Sequence, residues 1–72
     1  MLDSRPDAAA DALIRDAGLR VTATRVAVLE ALRAHPHATA DAVFDEIRGI
    51  LPGTSKQSVY NALGDFADAG LA

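Results

Sequence analysis

Thr54-Ser55-Lys56-Gln57-Ser58-Val59-Tyr60-Asn61-Ala62-Leu63 reads as the start of a helix with two unlike faces. Val59, Ala62, Leu63 and Phe66 recur at the i, i+3, i+4, i+7 spacing of a buried stripe. Gln57, Tyr60, Asn61 and Gly64 repeat that spacing and make a polar stripe, with Lys56 and Ser58 near its beginning. Amides, hydroxyls and a flat phenol are groups that hydrogen-bond base edges and touch thymine methyls in a DNA major groove. A helix that buries one side and offers this set on the other suits that groove. A solvated surface helix carries the same pattern, so the neighbouring segments decide between the two.

Upstream, Leu51-Pro52-Gly53 breaks the chain. Before it, Thr39 caps a third helix whose Ala40, Val43, Phe44 and Ile47 form a regular inward stripe. Thr22 or Thr24 caps a second helix that runs to about Ala34 on a Val28, Leu29 and Leu32 stripe, and Pro36 stops it. Asp7 to Ala17 is an Ala-rich first helix with Leu13, Ile14 and Ala17 as its apolar contacts. Pro6 suits its first turn and Gly18 its C-terminal cap. Ser55 (or Thr54) caps the fourth helix, and Gly70 suits the position after its last residue, Ala69. Leu71-Ala72 begins a further segment. No strand pattern is present, so the predicted fold is all-α with four helices. The third helix, a short turn, and a fourth helix with polar outward residues near its start match a helix-turn-helix. Its recognition helix spans Ser55 to Ala69, braced from behind by the second helix.

Seventy-two residues make one small domain, and an apolar share of 50% supplies it with a core. Phe44, Tyr60 and Phe66 are its aromatic residues, so Ala, Leu and Val carry most of the packing. The absence of Cys excludes disulfides and any thiolate zinc site within these residues. No apolar run approaches a membrane span. Met1 to Asp7 is acidic and lacks an apolar h-region, so no signal peptide and a cytoplasmic location are expected. The net charge of -3 argues against a nucleic-acid partner. Its distribution softens that objection: Asp3, Asp7, Asp11 and Asp16 load the first segment and Asp41, Asp45 and Glu46 the third. Between them, Arg20, Arg25 and Arg33 face Glu30 alone. Catalysis finds no support. Ser4, Ser55 and Ser58 lack a strand-turn-helix elbow, Ser55 is better explained as a cap, and Asp45 and Glu46 are adjacent and diverge on a helix. Gly49, Gly53, Gly64 and Gly70 form no phosphate loop. The chain is not expected to be an enzyme.

Four blocks carry a family resemblance: Gly18-Leu19-Arg20-Val21-Thr22-Ala23-Thr24-Arg25, His37-Ala38-Thr39-Ala40-Asp41-Ala42-Val43-Phe44, Ser58-Val59-Tyr60-Asn61-Ala62-Leu63 and Phe66-Ala67-Asp68-Ala69-Gly70-Leu71. In order and spacing they resemble the ferric uptake regulator (Fur) family from Gly18 to the end. Ala34 to His37 and Ser55-Lys56-Gln57 are most similar to the actinobacterial branch linked to iron and peroxide-defence genes. The resemblance implies the winged-helix DNA-binding domain of a dimeric, metal-responsive repressor acting on a double-stranded operator. It gives Tyr60 a base contact, Arg20 a reach toward the minor groove and Arg25 a contact to the DNA backbone or bases. With the polar face of the fourth helix, the expected DNA-binding set is Arg20, Arg25, Ser55, Lys56, Gln57, Ser58, Tyr60 and Asn61.

Three departures accompany the resemblance. Asn61 stands where the family usually has Arg, although the actinobacterial branch tolerates an amide there, and Thr24 stands where it usually has Pro. The sequence ends at Ala72, before the wing strands and the C-terminal dimerisation and metal domain that the resemblance implies. Residues 1–72 are therefore expected to be one winged-helix domain truncated before the wing, a fragment or a shortened relative. His37 occupies the place of a family histidine that contributes to the regulatory metal site, with its other ligands in the absent domain. Fe2+ or Zn2+, with Mn2+ as a further candidate, is expected for a full-length homodimer and none for these residues alone. His35, Asp41 and Asp45 are assigned to solvated surface. The rival reading is a protein-interaction module without DNA contact, which the acidic charge favours. A positive field around Tyr60 from Arg20, Arg25 and Lys56 separates the first reading from the second.

Overall fold

In the computed structural model, residues 6–71 are described, with side chains from residue 9. Residues 1–5 of the N-terminal segment expected to be no signal peptide, Ser4 among them, lie outside the described residues. Four helices follow in order: α1 (Pro6–Asp16), α2 (Ala23–Ala34), α3 (Ala40–Ile50) and α4 (Lys56–Asp68). Among the described residues there is no strand. The all-α expectation stands, as does the helix-turn-helix of α3, the turn at residues 51–55, and α4.

Three helices begin on a hydroxyl. The side chain of Thr22 accepts from the Arg25 N–H at 3.1 Å, Thr39 from Ala42 at 3.1 Å, and Ser55 from Ser58 at 3.1 Å. Each cap residue is extended, which turns its oxygen back onto the first orphan amides. Of the paired alternatives, Thr22 is the cap of α2, while Thr24 lies inside its first turn; Ser55, rather than Thr54, caps α4.

Two helices end on the same four residues. Asp16-Ala17-Gly18-Leu19 closes α1 and Asp68-Ala69-Gly70-Leu71 closes α4. Gly18 and Gly70 take φ of +80° and +78°, a left-handed conformation that costs a residue with a Cβ about 1–2 kcal/mol. The Leu19 N–H then bonds back to Ile14 O at 3.1 Å, and the Leu71 N–H to Phe66 O at 2.8 Å. Both leucines pack partly buried against the core, the apolar contact that accompanies such a cap.

Ala10 and Ile14 of α1, Val28, Leu29 and Ala31 of α2, Val43 and Ile47 of α3, and Val59, Ala62 and Phe66 of α4 form one core. α2 is its hub and packs on each of the other three helices, while α3 also packs on α4. Each fully buried Val, Leu, Ile or Phe removes enough apolar surface to contribute about 1.5–3 kcal/mol. The inward stripes are narrower than the sequence pattern predicts. Leu13 and Ala40 are exposed, and Ala17, Leu32, Phe44 and Leu63 are only half-buried. The buried alanines Ala10, Ala31 and Ala62 explain the difference: small residues let the backbones approach, so the flanking larger side chains lie at the rim.

Candidate nucleic-acid interface

Burial of Val59, Ala62 and Phe66 fixes the rotation of α4. Lys56, Gln57, Ser58, Tyr60, Asn61 and Gly64 are consequently exposed. The Gln57 side-chain amide donates to Asn61 Oδ1 at 2.9 Å, so the two amides stand as a linked pair one turn apart. Ser55 Oγ caps the helix and donates to Ser58 Oγ at 2.9 Å, which ties both hydroxyls to the helix start.

Across from this face lies the segment that leads into α2. A shallow groove is lined on one side by Arg20, Thr22, Thr24 and Arg25 and on the other by Ser58, Asn61, Ala62 and Asp65. Of the expected site residues, Arg20, Arg25, Ser58 and Asn61 thus line one groove, while Ser55, Lys56, Gln57 and Tyr60 lie outside it. Arg20 is exposed there. Arg25 is not free to extend. Its guanidinium donates to Asp65 Oδ2 at 2.8 Å and to the Arg20 carbonyl at 2.7 Å, and its side chain retains 24% exposure. It ties the loop before α2 to the middle of α4.

A second cluster joins α3 to α4. The Tyr60 hydroxyl donates to Asp41 Oδ1 at 2.5 Å, and Lys56 Nζ lies 3.5 Å from the same oxygen. The Lys56 ammonium also stands 5.8 Å from the ring centroids of both Phe44 and Tyr60, within cation–π range. The hydrogen bond from Tyr60, and secondarily the Lys56 charge, hold the Asp41 carboxyl below its usual value. The same hydrogen bond holds the Tyr60 phenol above its own, because losing the proton would set two anions face to face. Asp41, assigned from sequence to solvated surface, is thus exposed yet engaged by two site residues. Asp45 fits that assignment; among the described residues it pairs with Arg48 one turn on at 3.5 Å.

Asp41, Phe44 and Asp65 are the residues that sequence reasoning missed. Asp41 lies 19 positions from Tyr60 and Asp65 lies 40 from Arg25, so no local spacing signals either pair. The two carboxylates balance charge. Lys56 faces Asp41 and Arg25 faces Asp65, so the positive field expected around Tyr60 is offset by two carboxylates.

His35 and His37 lie in the loop between α2 and α3, and both are exposed. His35 Nε2 is 3.7 Å from Glu46 Oε1. Among the described residues no three His, Cys, Asp or Glu side chains are grouped closely enough to hold a metal ion. A closed zinc site takes four such donors, so the residues present do not fit a resident metal by themselves. Among the described residues no helix is long and apolar enough to cross a membrane.

The profile of the Ferric uptake regulator family matches residues 16–72. The chain is 49% identical over 70 residues to the Transcriptional regulator FurA of Mycobacterium tuberculosis, covering 97% of this chain and 46% of that protein. It is 48% identical over 59 residues to Ferric uptake regulation protein 1 of Mycolicibacterium fortuitum, covering 82% and 37%. With the Peroxide-responsive repressor PerR of Staphylococcus aureus it shares 38% identity over 61 residues, covering 83% and 41%. The chain therefore spans less than half the length of these curated relatives. No solved structure gives a match.

Proposed function

This chain belongs to the ferric uptake regulator family, and we propose that it is the helix-turn-helix DNA-binding domain of a transcriptional repressor controlling iron or peroxide-defence genes. One observation carries the reading: α4 faces solvent with Gln57, Tyr60 and Asn61 on its open side, beside the exposed Arg20. In the complex, α4 lies in the major groove of a double-stranded operator and Gln57, Tyr60 and Asn61 meet base edges. Lys56, Ser58 and Arg20 meet the backbone or the minor groove and set register. Ser55 acts as the cap that aims the helix, and Arg25 as the brace that holds Arg20 beside α4. Residues 1–72 act as one such domain. Two copies act together in a cytoplasmic homodimer, and His37 supplies one imidazole to a metal site, for Fe2+, Zn2+ or Mn2+, completed by residues outside this chain. No catalytic step is assigned to any residue.

The test is selection of duplexes from a randomised pool, followed by titration of the selected and a random duplex at several salt concentrations. A preferred site bound more tightly than random DNA, and lost on Tyr60→Ala, supports the reading. Equal binding of both duplexes sinks it. The charge balance around Tyr60 favours a second reading, a protein-docking module of the same fold. Under it, neither duplex binds at low salt.

A further inference from the structure

Asp41 has one ordinary explanation. It stands in the first turn of α3, where an acid is favoured by the helix dipole. That accounts for a carboxylate at this place. It does not account for the two side chains of α4 that converge on one of its oxygens. Asp41 is 73% exposed and could be solvated by water alone. Instead it takes the phenol hydrogen of Tyr60 and lies beside Lys56, whose ammonium stands 5.8 Å from the ring centroids of Phe44 and Tyr60.

A tyrosine hydroxyl has one hydrogen to donate and lone pairs to accept with. Once the hydrogen is committed to a carboxylate, only acceptance is left for another partner. In the major groove, acceptors such as guanine O6 and N7 or thymine O4 need a donor, whereas adenine N6 and cytosine N4 are themselves donors. Resting on the DNA-binding reading above, we propose that Asp41 is a positioning residue that sets base preference. It fixes Tyr60 as a hydrogen-bond acceptor, so that the phenol pairs with the amino group of an adenine or a cytosine. It also competes with phosphate for Lys56, which weakens that backbone contact on DNA of any sequence and leaves discrimination to the base contact.

The experiment uses the whole 72-residue chain as wild type, Asp41→Ala, Asp45→Ala, Tyr60→Phe and the Asp41→Ala/Tyr60→Phe double variant. Each is put through duplex selection from a randomised pool and salt titration on a random duplex. Absorbance titration of the single tyrosine is carried out on wild type and Asp41→Ala. Asp41→Ala is expected to bring the phenol back toward its ordinary value. It is expected to steepen the log–log salt slope by up to about one, as Lys56 engages its phosphate without competition. At one position of the selected site, preference for an amino-bearing base falls by about two- to tenfold, the worth of one hydrogen bond. Asp45→Ala removes the same charge from the same helix and keeps the wild-type base preference. In the Tyr60→Phe background, Asp41→Ala changes base preference no further. An unchanged phenol titration or base preference in Asp41→Ala overturns the proposal. So does an equal change in Asp45→Ala, or a change that persists without the hydroxyl. A wild-type chain that selects no site at all refutes the DNA-binding reading, and the proposal with it.

Discussion

Arg25 is the side chain whose role is most altered by its surroundings. A guanidinium offers five N–H donors in a flat fork, and here the fork is divided between a carboxylate on α4 and a carbonyl in the loop before α2. Arg25→Ala should therefore cost about 1–3 kcal/mol in urea melts, as expected for hydrogen bonds to a charged group, less some screening at the half-buried Asp65. Arg25→Lys should recover only part, because an ammonium cannot reach in both directions. A melt of Arg25→Ala indistinguishable from wild type would remove the brace from the account. Tyr60 makes the opposite case. Tyr60 is 38% exposed and its neighbours at Gln57, Asn61 and Gly64 are not part of the core, so Tyr60→Ala should stay within about 0.5 kcal/mol of wild type. The contact with Asp41 does carry a pH signature. The Tyr60 pKa is raised by that hydrogen bond, so its small contribution is present below the unfolded phenol value near about 10 and is lost as pH rises through the folded one. The Asp41 pKa is lowered, chiefly by Tyr60 and then by Lys56, so its share is present above about 4 and is lost as pH falls through its folded value. Melts of wild type and Tyr60→Phe should accordingly differ most in the neutral range and converge in acid and in strong base.

At the scale of elements, start and stop signals decide where the helices lie. Ser55→Ala should cost about 1 kcal/mol by leaving the Ser58 amide without its cap. Gly70→Ala should cost about 1–2 kcal/mol through backbone strain alone, since open space surrounds that position. Phe66→Ala should cost about 3–5 kcal/mol, the largest effect in α4, because its side chain is fully buried. Leu63→Ala should cost clearly less, since that residue sits at the rim. Thermal melts of the four variants give the order directly. These elements were legible in the sequence because their causes are local: a hydroxyl three residues before the amide it caps, a glycine just past the last turn, apolar residues at helical spacing. Two limits came from the same source. Spacing identifies which side of a helix turns inward, but whether Leu63 or Ala62 reaches the centre depends on how closely the neighbouring helix approaches. The polar face of α4 was legible residue by residue, whereas the carboxylates that engage it come from distant positions and appear only once α2, α3 and α4 are assembled.

For the whole molecule, charge and core make separate statements. With a net charge of -3 and two of its site cations paired internally, an isolated copy should bind duplex DNA weakly. Its salt dependence should have the shallow slope of a few phosphate contacts, measured by titration across ionic strengths. Tight binding by a proven monomer at physiological salt would contradict this. A chelator should leave the melting temperature unchanged, because the fold closes around apolar side chains rather than a metal. The position of α2 at the hub has a kinetic consequence. α2 packs against each of the other helices, whereas α1 packs against α2. Peeling α1 away uncovers one side of the assembly and leaves α2, α3 and α4 in mutual contact; loosening α2 dissolves everything at once. Amide protons of α1 should thus exchange with deuterated solvent through partial openings, while those of Val28, Leu29 and Phe66 wait for global unfolding. The molecule has, in effect, one fraying edge, and it lies on the side of the bundle formed by α1, while the surface of α4 is carried by the part that opens last.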